Sequence, residues 1–491
     1  MKEHLKAINL LLFLAMLLSR SLEAQPISSK EALAAANKWI DLMIKTKGNW
    51  ANSQTATIEE IKDFKRGERF LGYYCRIQPK GYIIISLRRE LAPIKVYSCE
   101  SDLDPDSNTG VADYIKLKME LLLKGIEDQL GPITEVKSQD LERILEIDCR
   151  NAWLELENAQ LNAFSNYQEG DILLDTRWIQ YDPYSSQCPP GSGNPDCPLD
   201  HCAVGCTAIA GAQVMRYWYW PPFGSTAPYA DPYDWKNMPP ELFLGSDPAH
   251  INAVAELCHE VGTASDMQYC AEECASDAYL ADAPLGGSDL LDALEDQFRY
   301  NTAANNVWRA AHTAIEWFNL IKEQLNLNRP LPYKITKHAV VCDGWQEIGI
   351  TPLRQYHMEY GGADNHTTWY TLDELYYPDG GGWPGDNMLV DIYPGPSLGN
   401  TISGSYPLES FPYRYFDQDA TSQGATFLSG QHLQFLPGIV VKCVSTVGGE
   451  VRFEGSASND TKLFTRGDES KGIRIINGAV KLKNNGSIKL R

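Results

Sequence analysis

Cys206 and His338 are the residues whose types and settings could do covalent chemistry. Cys206 lies in His201-Cys-Ala-Val-Gly-Cys206-Thr-Ala-Ile-Ala-Gly-Ala-Gln-Val-Met-Arg-Tyr-Trp-Tyr-Trp220, where a glycine gives way to a helical pattern. A thiol in the first turn of a helix faces unpaired N–H groups and the positive end of the macrodipole. Both favour thiolate, the form that attacks a carbonyl carbon. His338 opens the apolar, strand-like run Lys337-His338-Ala-Val-Val-Cys342. Imidazole can take a thiol's proton and hand it to a leaving amine near neutral pH. About 130 residues separate the pair, a spacing that suits a thiol and a base brought together by folding.

Each residue also has a plainer reading. In a chain of twelve cysteines, Cys206 could simply be buried or disulfide-bonded, and a lone histidine at the mouth of a strand is often structural. Context favours chemistry. Gly205 leaves room for a substrate backbone. Cys206, Ile209, Gln213 and Val214 recur at helical spacing, so the helix docks on a core, and Tyr217-Trp-Tyr-Trp-Pro221 anchors and ends it. None of the other eight histidines leads so strand-like an apolar run. Cys188, Cys197, His201 and Cys202 could ligate zinc by type, but they lack a CxxC pair, and no metal or cofactor is expected.

The elements that must position these residues fall into modules. Lys2 and Lys6 precede the apolar run Leu10–Leu18, and small residues follow it. The run is short for a bilayer, so residues 1–24 read as a secretory signal cleaved near Ala24, with no membrane span after its removal. Residues 25–170 read as a small α+β module. Ser28-Ser-Lys-Glu31 is a capping box; Leu33, Ala36, Ile40, Met43 and Ile44 form a helix face; Gly48 is a C-cap. Strand-like runs joined by Pro79-Lys-Gly81 follow, then a helix through Ile115, Met119 and Leu122. Ser165–Asp171 is a polar linker open to cleavage. Residues 171–394 carry helices first and strands later, an α+β pattern. Residues 395–491 show short alternating runs with Gly, Ser and Asn turns, an all-β pattern.

Export makes the cysteines legible. Beyond Cys206, the residues after 171 hold Cys188, Cys197, Cys202, Cys258, Cys270, Cys274, Cys342 and Cys443, enough for up to four disulfides, with the pairing open and Cys342 suited to a core thiol. A formal charge of −21 argues against nucleic acid or an anionic membrane as partner.

Several blocks together resemble a known family. Gly205–Pro221 resembles the nucleophile helix of streptopain-type cysteine peptidases, and Leu173-Leu-Asp-Thr-Arg-Trp178-Ile-Gln180-Tyr-Asp-Pro-Tyr184 resembles the start of their mature enzyme. Tyr233–Met238, Val261–Met267, His338–Gly344, Tyr356-His-Met-Glu-Tyr-Gly361 and Leu372–Leu375 are similar in the same order. Gly81–Ser86 and Ala92–Ser98 resemble the family's propeptide. The resemblance implies a papain-like, two-lobed peptidase over 171–394, kept latent by 25–170. It implies Cys206 as nucleophile and His338 as base, with the Gln180 side chain and the Cys206 backbone N–H as donors to the oxyanion. Glu359 stands where the family carries an Asn that orients the imidazole by accepting its Nδ1–H, and Gly362 stands where a Trp usually follows the glycine. The Gly-rich Asp379–Gly385 would border the cleft. Protein or peptide substrates, the chain's own propeptide and a secreted location follow from the same reading. The alternatives are a surface-binding protein that kept the fold and lost turnover, and a transglutaminase-like acyl transferase.

Overall fold

The structure, a computed structural model, describes residues 26–157, 166–221, 223–377 and 385–395, and strand segments between 401 and 488. The expected signal and most of the Gly-rich 379–385 stretch lie outside the described residues. The chain divides into two units. The first takes the described residues up to Ile172, with Val307–Asn326 and Tyr333–Met388; the second takes Leu173–Asn306, Leu327–Pro332 and the residues from Leu389.

In the first unit, helix α1 (Ser29–Lys47) begins on Ser28, and both halves of the expected capping box are formed. The Arg89 guanidinium and the Ser28 backbone hold the Glu31 carboxyl down at about 2. Gly48, at φ +84°, ends the helix in the left-handed region that suits glycine. Its buried face runs through Ala32, Ala36, Trp39, Ile40 and Met43, while Leu33 points outward. Strands β1 (Thr57–Arg66), β2 (Arg69–Gln78), β3 (Tyr82–Ser86) and β4 (Val96–Ser98) follow, then helix α2 (Gly110–Leu130). All five residues of β3 are buried, as expected of a strand covered on both faces. Ile83 and Ile85 join the cluster under α1.

These strands continue directly into later ones: β5 (Leu331–Ile335), β6 (His338–Ile348), β7 (Leu353–Glu359), β8 (Thr367–Thr371) and β9 (Asn387–Val390). The order is β1-β2-β3-β4-β8-β7-β6-β5-β9. The join is antiparallel, with Tyr97 opposite Trp369 and Val96 opposite Tyr370. Residues read from sequence as a separate N-terminal module therefore extend the sheet that carries His338.

The second unit centres on helix α3 (Cys206–Trp218), in which every residue from Thr207 to Trp218 is buried. It packs on α4 (Pro248–Ala264), capped by Asp247. Gly211 makes the approach close: a Cβ there would lie 2.5 Å from Leu290 Cδ1 and 3.0 Å from Val261 Cγ1. Beyond residue 400 the described segments are all strands, and those that pair do so in parallel. No helix among the described residues is long and apolar enough to cross a membrane.

Candidate active site

Cys206 is the first residue of α3, partly exposed and outside any disulfide. Two disulfides, Cys197–Cys274 and Cys202–Cys270, tie the loop before it to the 268–277 hairpin. Backbone and side-chain bonds tighten the same junction. Ala203 N–H donates to the Cys274 carbonyl at 2.9 Å, Ser276 Oγ to the Ala203 carbonyl at 2.6 Å, and Thr207 Oγ1 to the Ala278 carbonyl at 2.9 Å. The helix start is thus clamped from both sides.

Gly205 proves to be needed for a different reason from the one expected. Its φ is +90°, and a Cβ would lie 2.6 Å from Met267 Sδ and 3.1 Å from the Ser276 carbonyl oxygen. The space beside it is filled by protein rather than left for a substrate backbone. The turn itself requires glycine.

Gln180 lies at the same junction. Its carbonyl accepts the Val204 N–H at 2.9 Å, two residues before Cys206. Trp178 sits beneath, buried, with its N–H on Gln213 Oε1 at 3.3 Å and its indole N–H on the Pro239 carbonyl at 3.0 Å. Gln213 belongs to α3, so the segment bearing Gln180 is fastened to the helix bearing Cys206.

The remaining described thiols are poor nucleophiles. Burial pushes Cys75 and Cys188 up to about 12, and Cys99, Cys149, Cys258 and Cys342 are also raised. Among the described residues two disulfides stand where sequence allowed up to four; Cys188, Cys258 and Cys342 remain thiols. Cys197 and Cys202, members of the possible zinc set, are consumed in those disulfides.

His338 opens β6 in the first unit and is buried. Its Nε2 lies 2.5 Å from the Tyr360 carbonyl. A carbonyl only accepts, so Nε2 carries the proton and Nδ1 is the basic nitrogen. The Tyr114 ring of α2 stacks on the imidazole at 4.4 Å and 12°, and the Tyr360 ring lies nearly parallel at 6.3 Å and 13°. Sequence reasoning singled out neither tyrosine. Tyr360 follows Glu359 directly and could have been found as the aromatic of that block; Tyr114 carried no local signal.

Glu359, expected to hold the imidazole through Nδ1, ends β7 in other company. It is buried, and its carboxylate falls within 4.8 Å of groups on Asp343 and His357. His357 Nδ1 donates to Asp343 Oδ1 at 2.6 Å. A bulge between Cys342 and Gly344 inserts Asp343 opposite this stretch of β7. The group found on His338 Nε2 is the neighbouring Tyr360 backbone carbonyl, an acceptor that the family-based expectation did not include.

Comparison with known proteins bears on family and fold. Residues 178–370 match the Peptidase C10 family and residues 24–120 match the Spi protease inhibitor model. The thiol protease/hemagglutinin PrtT of Porphyromonas gingivalis is 22% identical over 399 residues, covering 75% of this chain but only 41% of that protein. Streptopain of Streptococcus pyogenes is 23% identical over 337 residues, covering 62% of this chain and 74% of streptopain. A prointerpain A fragment of Prevotella intermedia superposes with a TM-score of 0.51 at 20% identity, covering 69% of this chain and 99% of the fragment, and so shares its fold.

Proposed function

The chain belongs to the Peptidase C10 family, with a Spi-type inhibitor segment before its peptidase region, and from that premise we propose a secreted cysteine endopeptidase made as a zymogen. Cys206 thiolate attacks the scissile carbonyl, and the helix N-terminus favours that thiolate. The oxyanion of the tetrahedral intermediate is met by the Cys206 backbone N–H and the Gln180 side-chain amide. His338 gives a proton to the leaving amine, and the acyl-enzyme forms. A water that gives its proton to His338 then releases the acid product.

The observation that carries this reading is the bond from Val204 N–H to the Gln180 carbonyl, which fastens the amide-bearing residue beside the nucleophile's helix start. In the precursor the Tyr360 carbonyl holds the His338 ring through Nε2. Glu359 lies one residue away, in a buried cluster with Asp343 and His357.

Latency has its own support. Tyr114 belongs to the inhibitor-like residues and covers one face of His338. An imidazole stacked in this way is not free to serve a substrate, and departure of the segment uncovers it. Cleavage within Ser165–Asp171 would begin that release.

The test is casein hydrolysis by the matured chain against Cys206→Ala. Loss of activity by about 10⁴-fold or more is expected for a nucleophile. Undiminished hydrolysis by the variant refutes the proposal.

A further inference from the structure

Lys118 stands one helical turn beyond Tyr114 on α2, and residues four apart share a helix face. While Tyr114 lies on His338, Lys118 enters a pocket lined by Thr336, Asp373, Leu375, Tyr376 and Asp386. Its Nζ is 2.6 Å from Asp386 Oδ2 and 3.2 Å from Asp373 Oδ2. Lys95 approaches the same group, 2.9 Å from Asp373 Oδ1 and 2.8 Å from Glu374 Oε2.

The ownership of these groups matters. Both lysines belong to the inhibitor-like residues 24–120, and all three carboxylates lie far outside them. The carboxylates also keep partners of their own. Tyr370 Oη donates to Asp373 Oδ1 and Tyr333 Oη to Asp386 Oδ2, each at 3.0 Å. Their oxygens are therefore aimed by β8 and β5, whether or not a lysine is present. Departure of the inhibitor segment would strip two ammonium groups from three neighbouring carboxylates and, with Leu121 and Leu122 of α2, open one wall of the pocket. Carboxylates held side by side without counter-charge repel one another, so the emptied site favours a cation.

We propose that Asp373 and Asp386 form a subsite for a lysine or arginine side chain of the substrate, which Lys118 occupies in the precursor as a stand-in. Thr336, on the pocket wall, is two residues from His338, so a side chain held there belongs to a peptide lying along the catalytic base. The inference rests on the peptidase reading, since only loss of the inhibitor segment empties the pocket. A site built to bond a charged group discriminates against substrates lacking it, because its own polar groups are then left unpaired.

The experiment uses the chain cleaved in Ser165–Asp171 and then separated from its inhibitor segment. Peptides carrying Lys, norleucine or Glu at each position flanking the scissile bond are compared by kcat/KM. At one position Lys should exceed norleucine by about tenfold or more, with Glu poorest, and Asp386→Asn should shrink that ratio towards one. Cleavage of every peptide with no Lys advantage overturns the inference and leaves the peptidase reading standing. Failure to cleave any peptide refutes the peptidase reading instead, and binding then decides. In that case fluorescence anisotropy with labelled Lys and norleucine peptides must show Lys-selective binding that Asp386→Asn abolishes; equal binding overturns the subsite.

Discussion

Gly205 and Gln180 show how single residues set the start of the helix that carries Cys206. A residue with a Cβ at φ +90° would be strained and would press on Met267, so Gly205→Ala should cost about 1–3 kcal/mol and lower the melting temperature. Met267→Ala in the same background should recover only the part due to the clash, which differential scanning calorimetry can measure. Gln180→Ala should lower kcat by about 10²–10³ while leaving alkylation of Cys206 near the wild-type rate, because an oxyanion donor acts on the transition state and not on the thiol. An equal fall in both would assign Gln180 a merely structural place. At this scale the sequence was informative where chemistry forces residue type: a thiol at a helix start, a glycine before it, an amide upstream. Spacing along the chain could not distinguish room for a substrate from room for Met267. Nor could residue type show that a backbone carbonyl accepts from His338, since a carbonyl belongs to every residue.

Among the elements, the residue just before β8 and strand β3 carry a built-in response to acid. His366 is buried, its Nε2 lies 2.9 Å from the Tyr82 hydroxyl of β3, and its carbonyl accepts the Tyr360 N–H at 3.1 Å. Burial lowers this imidazole to about 4 from an ordinary value of 6.5, with Lys80 adding to the effect and Asp102 opposing it. The folded chain therefore binds the proton more weakly than the unfolded chain does. Stability should fall as pH drops from 6.5 through about 4, by up to about 3 kcal/mol from this group. Urea titrations at pH 7 and pH 4 should show a smaller loss for His366→Gln than for wild type; equal losses would place the acid sensitivity elsewhere. The helices were legible because capping and apolar periodicity are local: α1 begins and ends where Ser28 and Gly48 say it should. The pairing of β4 with β8 was not, because strands more than 250 residues apart leave no local mark.

For the whole molecule, latency and sheet continuity are one feature. The inhibitor-like strands complete a sheet whose other strands carry His338, so cutting the linker removes a covalent tie but leaves the β4–β8 pairing and the buried Lys95 and Lys118 ion pairs in place. A chain nicked within Ser165–Asp171 should thus still elute as one species at neutral pH in size-exclusion chromatography, with activity appearing only as the segment separates. Immediate separation on nicking would contradict this. Tyr114→Ala should raise activity of the nicked, unseparated chain, since the cover over His338 is gone. The broad class, α+β with a β-rich C-terminal part, followed from pattern alone. The sharing of one sheet between inhibitor and peptidase residues did not, because the linker's polarity marks a place to cut and says nothing about what lies on either side of it. The central claim, that Cys206 is the attacking thiol, is tested most directly by treating the segment-free chain with a thiol-reactive peptidyl inhibitor and mapping the adduct by mass spectrometry. The expected result is a single adduct on Cys206, with loss of casein hydrolysis in proportion to labelling; hydrolysis that persists with Cys206 fully modified would contradict the account.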